Sequence, residues 1–562
     1  MLSPLRYWLL ARPALFAAVF ITLCATLAAL ALPAAAAEEP RSSRLVDRAW
    51  LQQHRSDVLL LDASMTPQHR QGHIAGAVSV DFYRYGPDEP TPAAMAQRMQ
   101  SWGISPGRKV VIYDQGGEWM AARLFHDLFV HGVPAQDLHL LDGGLARWKA
   151  SGGVVTSEAS PAPARGSWQG SILRSEERVR LPEFLQASGD PERHVLLDAL
   201  EPSYHYGQQK FFDRAGHVPG AVLLPSEDFF NADKTFKSAD EIRRLLRYHG
   251  VRAGQTVHSH CGGGGAAATP WFALRFIAGH ASAKLYLGSQ REWLRDDRGL
   301  PFWTYSAPQM LRDTTWLAGW NAPMMRAMGA ARINLVDVRP AQAYAQGHVP
   351  FALNLPAAGL GAQLRQTAAL AAALGPAGVH PEHEVVLVSD GGISKDAALA
   401  FVAFQQLGHD KVSLLVDSVD DWAYRGQETT RQPTRVGMPT APGEMTVPLA
   451  VYPRRSVPSK LATASDRPSG EFPRVWVDVG AALATSTGPW ATNGRALRVP
   501  YTELLGERNM PKPAPELWKI IDKAGVPRHA EVVLVADDAS EAAVAYVVFK
   551  LMGWPDLKVA LR

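Results

Sequence analysis

The sequence predicts an α/β protein of four tandem units, each a parallel sheet flanked by helices, and three observations carry that prediction. First, a short apolar strand ending in Asp recurs four times, as Val58-Leu-Leu-Leu-Asp62, Val195-Leu-Leu-Asp198, Ile333-Asn-Leu-Val-Asp337 and Val475-Trp-Val-Asp478. Second, these strands are continuous apolar runs rather than alternating ones, as expected where helices cover both faces of a sheet. Third, strand and helix patterns alternate over units of roughly 110–140 residues, the signature of parallel α/β domains. A chain of 562 residues also exceeds what one hydrophobic core can serve.

Each unit then follows one order. A Gly-His turn comes after the first three strand-Asp segments, at Gly72-His73, Gly216-His217 and Gly347-His348; the fourth copy reads Asn493-Gly494-Arg495 and has lost the His. A second apolar strand follows and runs into a loop and an alanine-rich helix. These loops open at Asp114, Cys261, Asp390 and Asp537, and the helices end near Gly132, Gly279, Gly408 and Gly553. A further strand and a tryptophan close the first three units, at Trp148, Trp293 and Trp422. The segments 150–166 and 432–443 are rich in small residues and proline and read as linkers. Domains are therefore expected at 42–155, 168–305, 315–430 and 445–562.

Residues 1–37 read as an export signal. Arg6 and Arg12 precede an uncharged apolar stretch, which ends in Ala34-Ala35-Ala36-Ala37. The expected location is periplasmic or otherwise exported, with a membrane anchor as the alternative if the signal stays uncleaved. Its removal takes Lys and Arg from 57 to 55 against 54 acidic residues. That balance gives no electrostatic footprint for nucleic acid. It also removes Cys24, one of two cysteines, and leaves Cys261 as the single thiol of the mature chain. One thiol makes neither an internal disulfide nor a thiolate metal site, so no metal is expected.

The strand-Asp, Gly-His-x-x-Gly-Ala, strand-loop-helix, Gly-x-x-x-x-Trp order resembles the rhodanese (sulfurtransferase) family over essentially the whole mature chain. In that family the residue opening the loop after the central strand is the catalytic cysteine. The resemblance implies an active second domain carrying Cys261, with first and third domains that have Asp instead and a degenerate fourth.

The residues around Cys261 support chemistry on their own terms. Gly262, Gly263, Gly264 and Gly265 follow it, and Ala266 leads into a helix. Glycines let backbone amides crowd around one point, and a helix N-terminus adds partial positive charge. Both are expected to lower the thiol pKa and to hold the negative outer sulfur of a persulfide. The expected reaction is ping-pong transfer without metal or organic cofactor. A small anionic donor such as thiosulfate or mercaptopyruvate charges Cys261, and cyanide, a thiol or a protein acceptor discharges it. A phosphatase would need Arg at position 267, where Ala267 stands.

The loop itself carries no cation, and Leu200 occupies the place where the third unit has Arg339. Lys210, Arg214 and Arg291 are therefore the candidate substrate-binding residues. His258 and His260, on the strand before the thiol, are expected to be structural, as are Asp198 and His217. The rival reading is an exported scaffold or sulfur-carrier protein without turnover of its own.

Overall fold

A computed structural model of the chain describes residues 42–560 apart from 87, 170–172, 442–443, 454, 464, 469 and 483–496. The export segment and the turn at 493–496 lie outside the described residues. Four five-stranded sheets follow one another along the chain. Each has all its strands parallel and the same order, 1-5-4-2-3 in units of its own sequence. In the second unit the strands are Arg178–Val179, His194–Asp198, Val222–Leu223, Thr256–His260 and Ala283–Tyr286. The fourth of these is central and pairs with the second in register, Asp198 opposite His260. The residue after the central strand is Cys261.

Continuous apolar strands are explained by what lies on either face. Alternation along Val58–Asp62 sends Val58 and Leu60 into a small cluster with Tyr113, Leu145 and Trp148. The intervening Leu59 and Leu61 enter a larger core that also holds Val195, Leu197, Val257 and Cys261 of the second unit. Units one and two thus share a core. The helix Met120–Val130, buried on every side, packs there against Ala268–Phe272; the Phe125 ring stands 5.0 Å from Phe272 and edge-on to it. Units three and four repeat the arrangement through Lys395–Gln406 and Ala539–Leu551. The four sheets form two pairs.

The sequence motifs gain physical reasons. His73, His217 and His348 each stack on a preceding ring, His69, His205 and Tyr344, at 3.8, 3.5 and 3.6 Å. Each also makes a backbone bridge to a residue near the end of its unit: Thr156, Trp303 and Thr430. The closing tryptophans donate their indole N–H to carbonyls a few residues on, Val154, Pro301 and Glu428. Histidine and tryptophan together clasp the tail of each unit to its sheet.

The second unit also meets the fourth. Arg528 donates twice to Asp228, at 2.6 and 2.7 Å, and Tyr206 and Tyr248 donate to the carbonyls of Met552 and Ala530. Removing one partner of a mostly buried ion pair leaves the other charge uncompensated. Arg528→Met is expected to cost roughly 2–4 kcal/mol in denaturant unfolding, because Asp228 loses its counter-charge. It should also speed proteolysis of the connection between units two and three, which lies against the fourth unit.

Candidate active site

Cys261 sits at the C-terminal end of the central strand with 2% of its surface exposed. Its sulfur accepts a hydrogen bond from the Gly264 amide at 3.1 Å, and the amides of Ala267 and Gly263 also face it. Ser289 holds the residue from behind: its Oγ accepts from the Cys261 amide at 3.1 Å and donates to the Tyr286 carbonyl. The Gln290 and Arg291 amides donate to the carbonyls of Cys261 and Gly262 at 2.9 and 2.7 Å.

The converging amides exist, but their positions differ from the sequence expectation. The helix starts at Ala268, not Ala266, and after five residues passes into a wider turn at Ala273–Ile277. Ala267 is therefore the residue whose amide meets the sulfur, and a helix this short contributes little dipole. The expected fall in thiol pKa is also corrected. Burial pushes the Cys261 thiol up, and the amides of Ala267, Gly263 and Gly264 with Ser289 only partly offset it. Desolvation wins because the sulfur shares the core of the first two units.

The glycine run serves close approach more than unusual dihedrals. Only Gly264 is left-handed, at φ 79°, and a Cβ there would lie 2.9 Å from the Leu287 backbone. A Cβ on Gly265 would strike the Trp119 ring at 2.7 Å, and one on Gly262 would touch Phe211 at 3.3 Å. Trp119 belongs to the first unit. So does Arg123, a fully buried arginine paired with Asp127 at 3.0 Å, whose Nη1 donates to the Gly264 carbonyl at 3.2 Å. Arg123 thus braces the loop from the neighbouring unit, with its charge paired to Asp127.

The predicted cations fall in three different places. Lys210 is exposed beside Phe211 and donates to the Asp213 carbonyl. Arg291 contacts the loop through its backbone, while its guanidinium pairs at 2.7 Å with Asp88 of the first unit. Arg214 donates to the backbone carbonyls of Trp293, Leu294, Arg295 and Leu300. That commitment ties down the end of its own unit, so Arg214 is a fold-holding residue rather than a substrate contact. His260 sits edge-on to Phe184, on the face away from the thiol's core, and His258 pairs with His194 at 3.0 Å. Asp198 is fully buried, accepts from the Leu200 amide and pairs with His205 at 2.9 Å. Ser289, Ala267, Trp119 and Arg123 escaped the sequence reading. Ser289 lies inside the closing motif 287–293, but nothing local marks Arg123, which is 138 positions from the thiol in sequence and meets it only across the shared core.

The Asp loop of the first unit fills the same cradle with a side-chain carboxyl. Asp114 accepts from the amides of Gly116 and Ala121 at 2.9 and 3.0 Å. Turns of the following unit cover two of the Asp loops. Lys234 lies against Gly117, and Asn509 accepts from the Ile393 amide at 2.8 Å.

Fold and loop together define a class: tandem parallel α/β domains with a residue at the end of the central strand presented to a loop of amides. Comparison with known families matches the rhodanese-like domain to residues 46–151, 181–296 and 322–425, more than half of the chain. The chain belongs to the rhodanese-like domain family. It is 33% identical over 269 residues, 43% of this chain and 91% of the relative, to a probable 3-mercaptopyruvate sulfurtransferase of Pseudomonas aeruginosa. It is 29% identical over 268 residues, 44% of this chain and 93% of the relative, to the sulfur carrier protein TtuD of Thermus thermophilus. Among solved structures, the 3-mercaptopyruvate sulfurtransferase SseA of Escherichia coli aligns at TM-score 0.40 and 25% identity, covering 44% of this chain and 98% of that one.

A buried thiol with a raised pKa reacts through its thiolate only as pH climbs. Alkylation of Cys261 by iodoacetamide should therefore accelerate with a midpoint above that of free cysteine, about 8.5. A midpoint below that value would show that amides and Arg123 outweigh burial.

Proposed function

We propose that the protein is a sulfurtransferase that carries sulfane sulfur as a persulfide on Cys261. The observation that carries the reading is the convergence of the Gly263, Gly264 and Ala267 amides on that sulfur. With thiosulfate, the Cys261 thiolate attacks the outer sulfur, an S–S bond forms, and sulfite leaves with the electron pair of the bond that breaks. The persulfide's outer sulfur keeps the negative charge. Cyanide then attacks that sulfur, leaves as thiocyanate and returns the thiolate. With mercaptopyruvate the thiolate would attack the thiol sulfur, the C–S bond would break with its electron pair going to the pyruvate enolate, and the enolate would take up a proton, such as the one released from the new persulfide, to leave as pyruvate. Relatives named for these activities support both donors.

The energetics favour the charged intermediate over the resting thiolate. Backbone donors fixed in place and screened from water bind an anion at little reorganisation cost. Arg123 places a positive charge behind the Gly264 carbonyl without entering the loop. Trp119 and Phe211 flank the glycines and limit access of water to the loaded sulfur. In this reading Lys210, exposed and next to Phe211 in sequence, is the candidate cation for an anionic donor.

A second reading, as a sulfur carrier or scaffold, is favoured by one observation: the thiol is sealed, at 2% exposure, beside units that carry Asp in its place. A carrier would load but not turn over with free cyanide. We also propose that residues 1–37 are removed on export.

Intact-mass measurement separates the readings. The wild-type protein, beginning after Ala37, should gain one sulfur of about 32 Da from thiosulfate and lose it to cyanide with multiple turnovers, as ping-pong chemistry requires. Cys261→Ser protein should gain nothing; equal loading of that variant would end the mechanism.

Arg123 is a positioning residue in this reading. Arg123→Met should slow loading about tenfold at neutral pH and move its pH profile up by roughly one unit, since one nearby charge is worth about that much. Arg123→Lys should recover most of the shift. A fall in rate with an unmoved pH profile would mean that Arg123 serves packing alone.

A further inference from the structure

The third unit breaks a local rule at Phe351. The first two units place a glycine in the left-handed region at the matching turn, Gly76 at φ 73° and Gly220 at φ 75°. The third places Phe351 there at φ 67°. A bulky side chain at positive φ is strained, and such strain persists where a site requires it.

The Phe351 ring lies against the Arg326 guanidinium, 4.4 Å from ring centre to Cζ. Arg326 is fixed further by Asn321, whose Oδ1 accepts from its Nε at 2.7 Å. Asn321 is buried and donates to the carbonyl of Pro350, the residue before the strained one. Yet Arg326 Nη2 is buried with no acceptor in the protein. Burial without pairing pulls this guanidinium down to about 10. An arginine held on two sides with a donor unspent is built to receive something.

Arg326 and Phe351 line a cavity of about 220 Å³ with His380 and His383. The two imidazoles stack at 4.1 Å, and Asn334 pins the backbone of His380 in both directions at 2.9 Å. Burial, with His380, Arg332, Arg326 and His409 around it, pulls His383 down to about 4, so it faces the cavity as a neutral imidazole with one N–H to donate. Another part of the lining is aliphatic, from Leu335, Leu353 and Val447. Val447 comes from the parallel pair Arg435–Val436 and Thr446–Val447, which lies beyond the matched range ending at 425.

We propose that this cavity binds a small organic carboxylate, with its charged end on Arg326 and the histidines and its apolar end against Leu335, Leu353 and Val447. The site is separate from Cys261 and does not depend on sulfur transfer.

The test uses the full chain carrying Cys261→Ser, so that the thiol takes no part, with isobutyrate as the probe and isobutanol as the uncharged control. Calorimetric titration should give saturable isobutyrate binding with a Kd of about a millimolar or tighter, and none for isobutanol. Arg326→Met should weaken isobutyrate at least about tenfold, the worth of a charge-assisted hydrogen bond. Phe351→Gly relieves the strain, so its thermal midpoint should rise by several degrees while isobutyrate binding weakens. Unchanged affinity in Arg326→Met, tighter binding of sulfate than of isobutyrate, or no binding by the parent up to about 20 mM would overturn the proposal.

Discussion

One constraint organises the molecule: a sulfur atom at the end of a central strand, inside a core shared by two units, has backbone amides as its main polar company. Water is excluded, so each amide hydrogen bond is stronger than it would be at a surface, and the desolvation cost of charge is larger too. In the resting protein the cost prevails and the thiol is held up. The same surroundings favour whatever anion extends past Sγ toward the amides. Three of the four glycines follow from that geometry, since Phe211, Leu287 and Trp119 press on Gly262, Gly264 and Gly265 where side chains would stand; a side chain at Gly263 would meet open space.

Asp114 shows the same cradle filled by a carboxyl group. Its carboxylate takes up the loop amides that a loaded sulfur would need, and burial raises its pKa as it raises that of Cys261. The loop is thus preserved as structure without a nucleophile. Glu118 beside it is pushed up to about 7 by burial and by Asp114, which marks how little solvent reaches this end of the first sheet. What the first unit lacks in chemistry it supplies in position. Trp119 and Arg123 leave its own Asp loop and reach the glycine loop of its neighbour.

Much of this was legible in the residues. The apolar strands ending in Asp, the Gly-His turns and the closing tryptophans each mark a contact within one unit, and local contacts leave local patterns. The fourth unit shows the limit of that logic from the other side: its sheet keeps the 1-5-4-2-3 order although the Gly-His signal is gone from its sequence. The loop was legible as amides around a thiol, but which amides depended on where the helix began: it starts at Ala268, and the amide that meets the sulfur is that of Ala267 rather than Ala266. Arg123 was not legible, because its partner Gly264 is 141 positions away and the pairing arises only when two helices pack. The direction of the thiol's shift failed for a related reason. Sequence displays the amides beside Cys261, whereas burial is a property of the shared core.

The arrangement of pairs joins the second unit to two others. It shares its core with the first and is bound by ion pair and tyrosines to the fourth. The link to the fourth also reaches toward the loop. Met552 of the fourth unit accepts from Ser306 at 3.2 Å, Ser306 meets His205 at 3.4 Å, and His205 pairs with Asp198 at the end of the neighbouring strand. Gln290 donates to the same Asp198 carboxylate, and its amide donates to the Cys261 carbonyl. His205, pushed down to about 3 by burial, stays neutral over the physiological range and brings a single ring N–H to its contacts with Asp198 and Ser306. Units that carry no nucleophile therefore have physical work beside the one that does: the first closes the loop from above, and the fourth fixes the strand end beneath it.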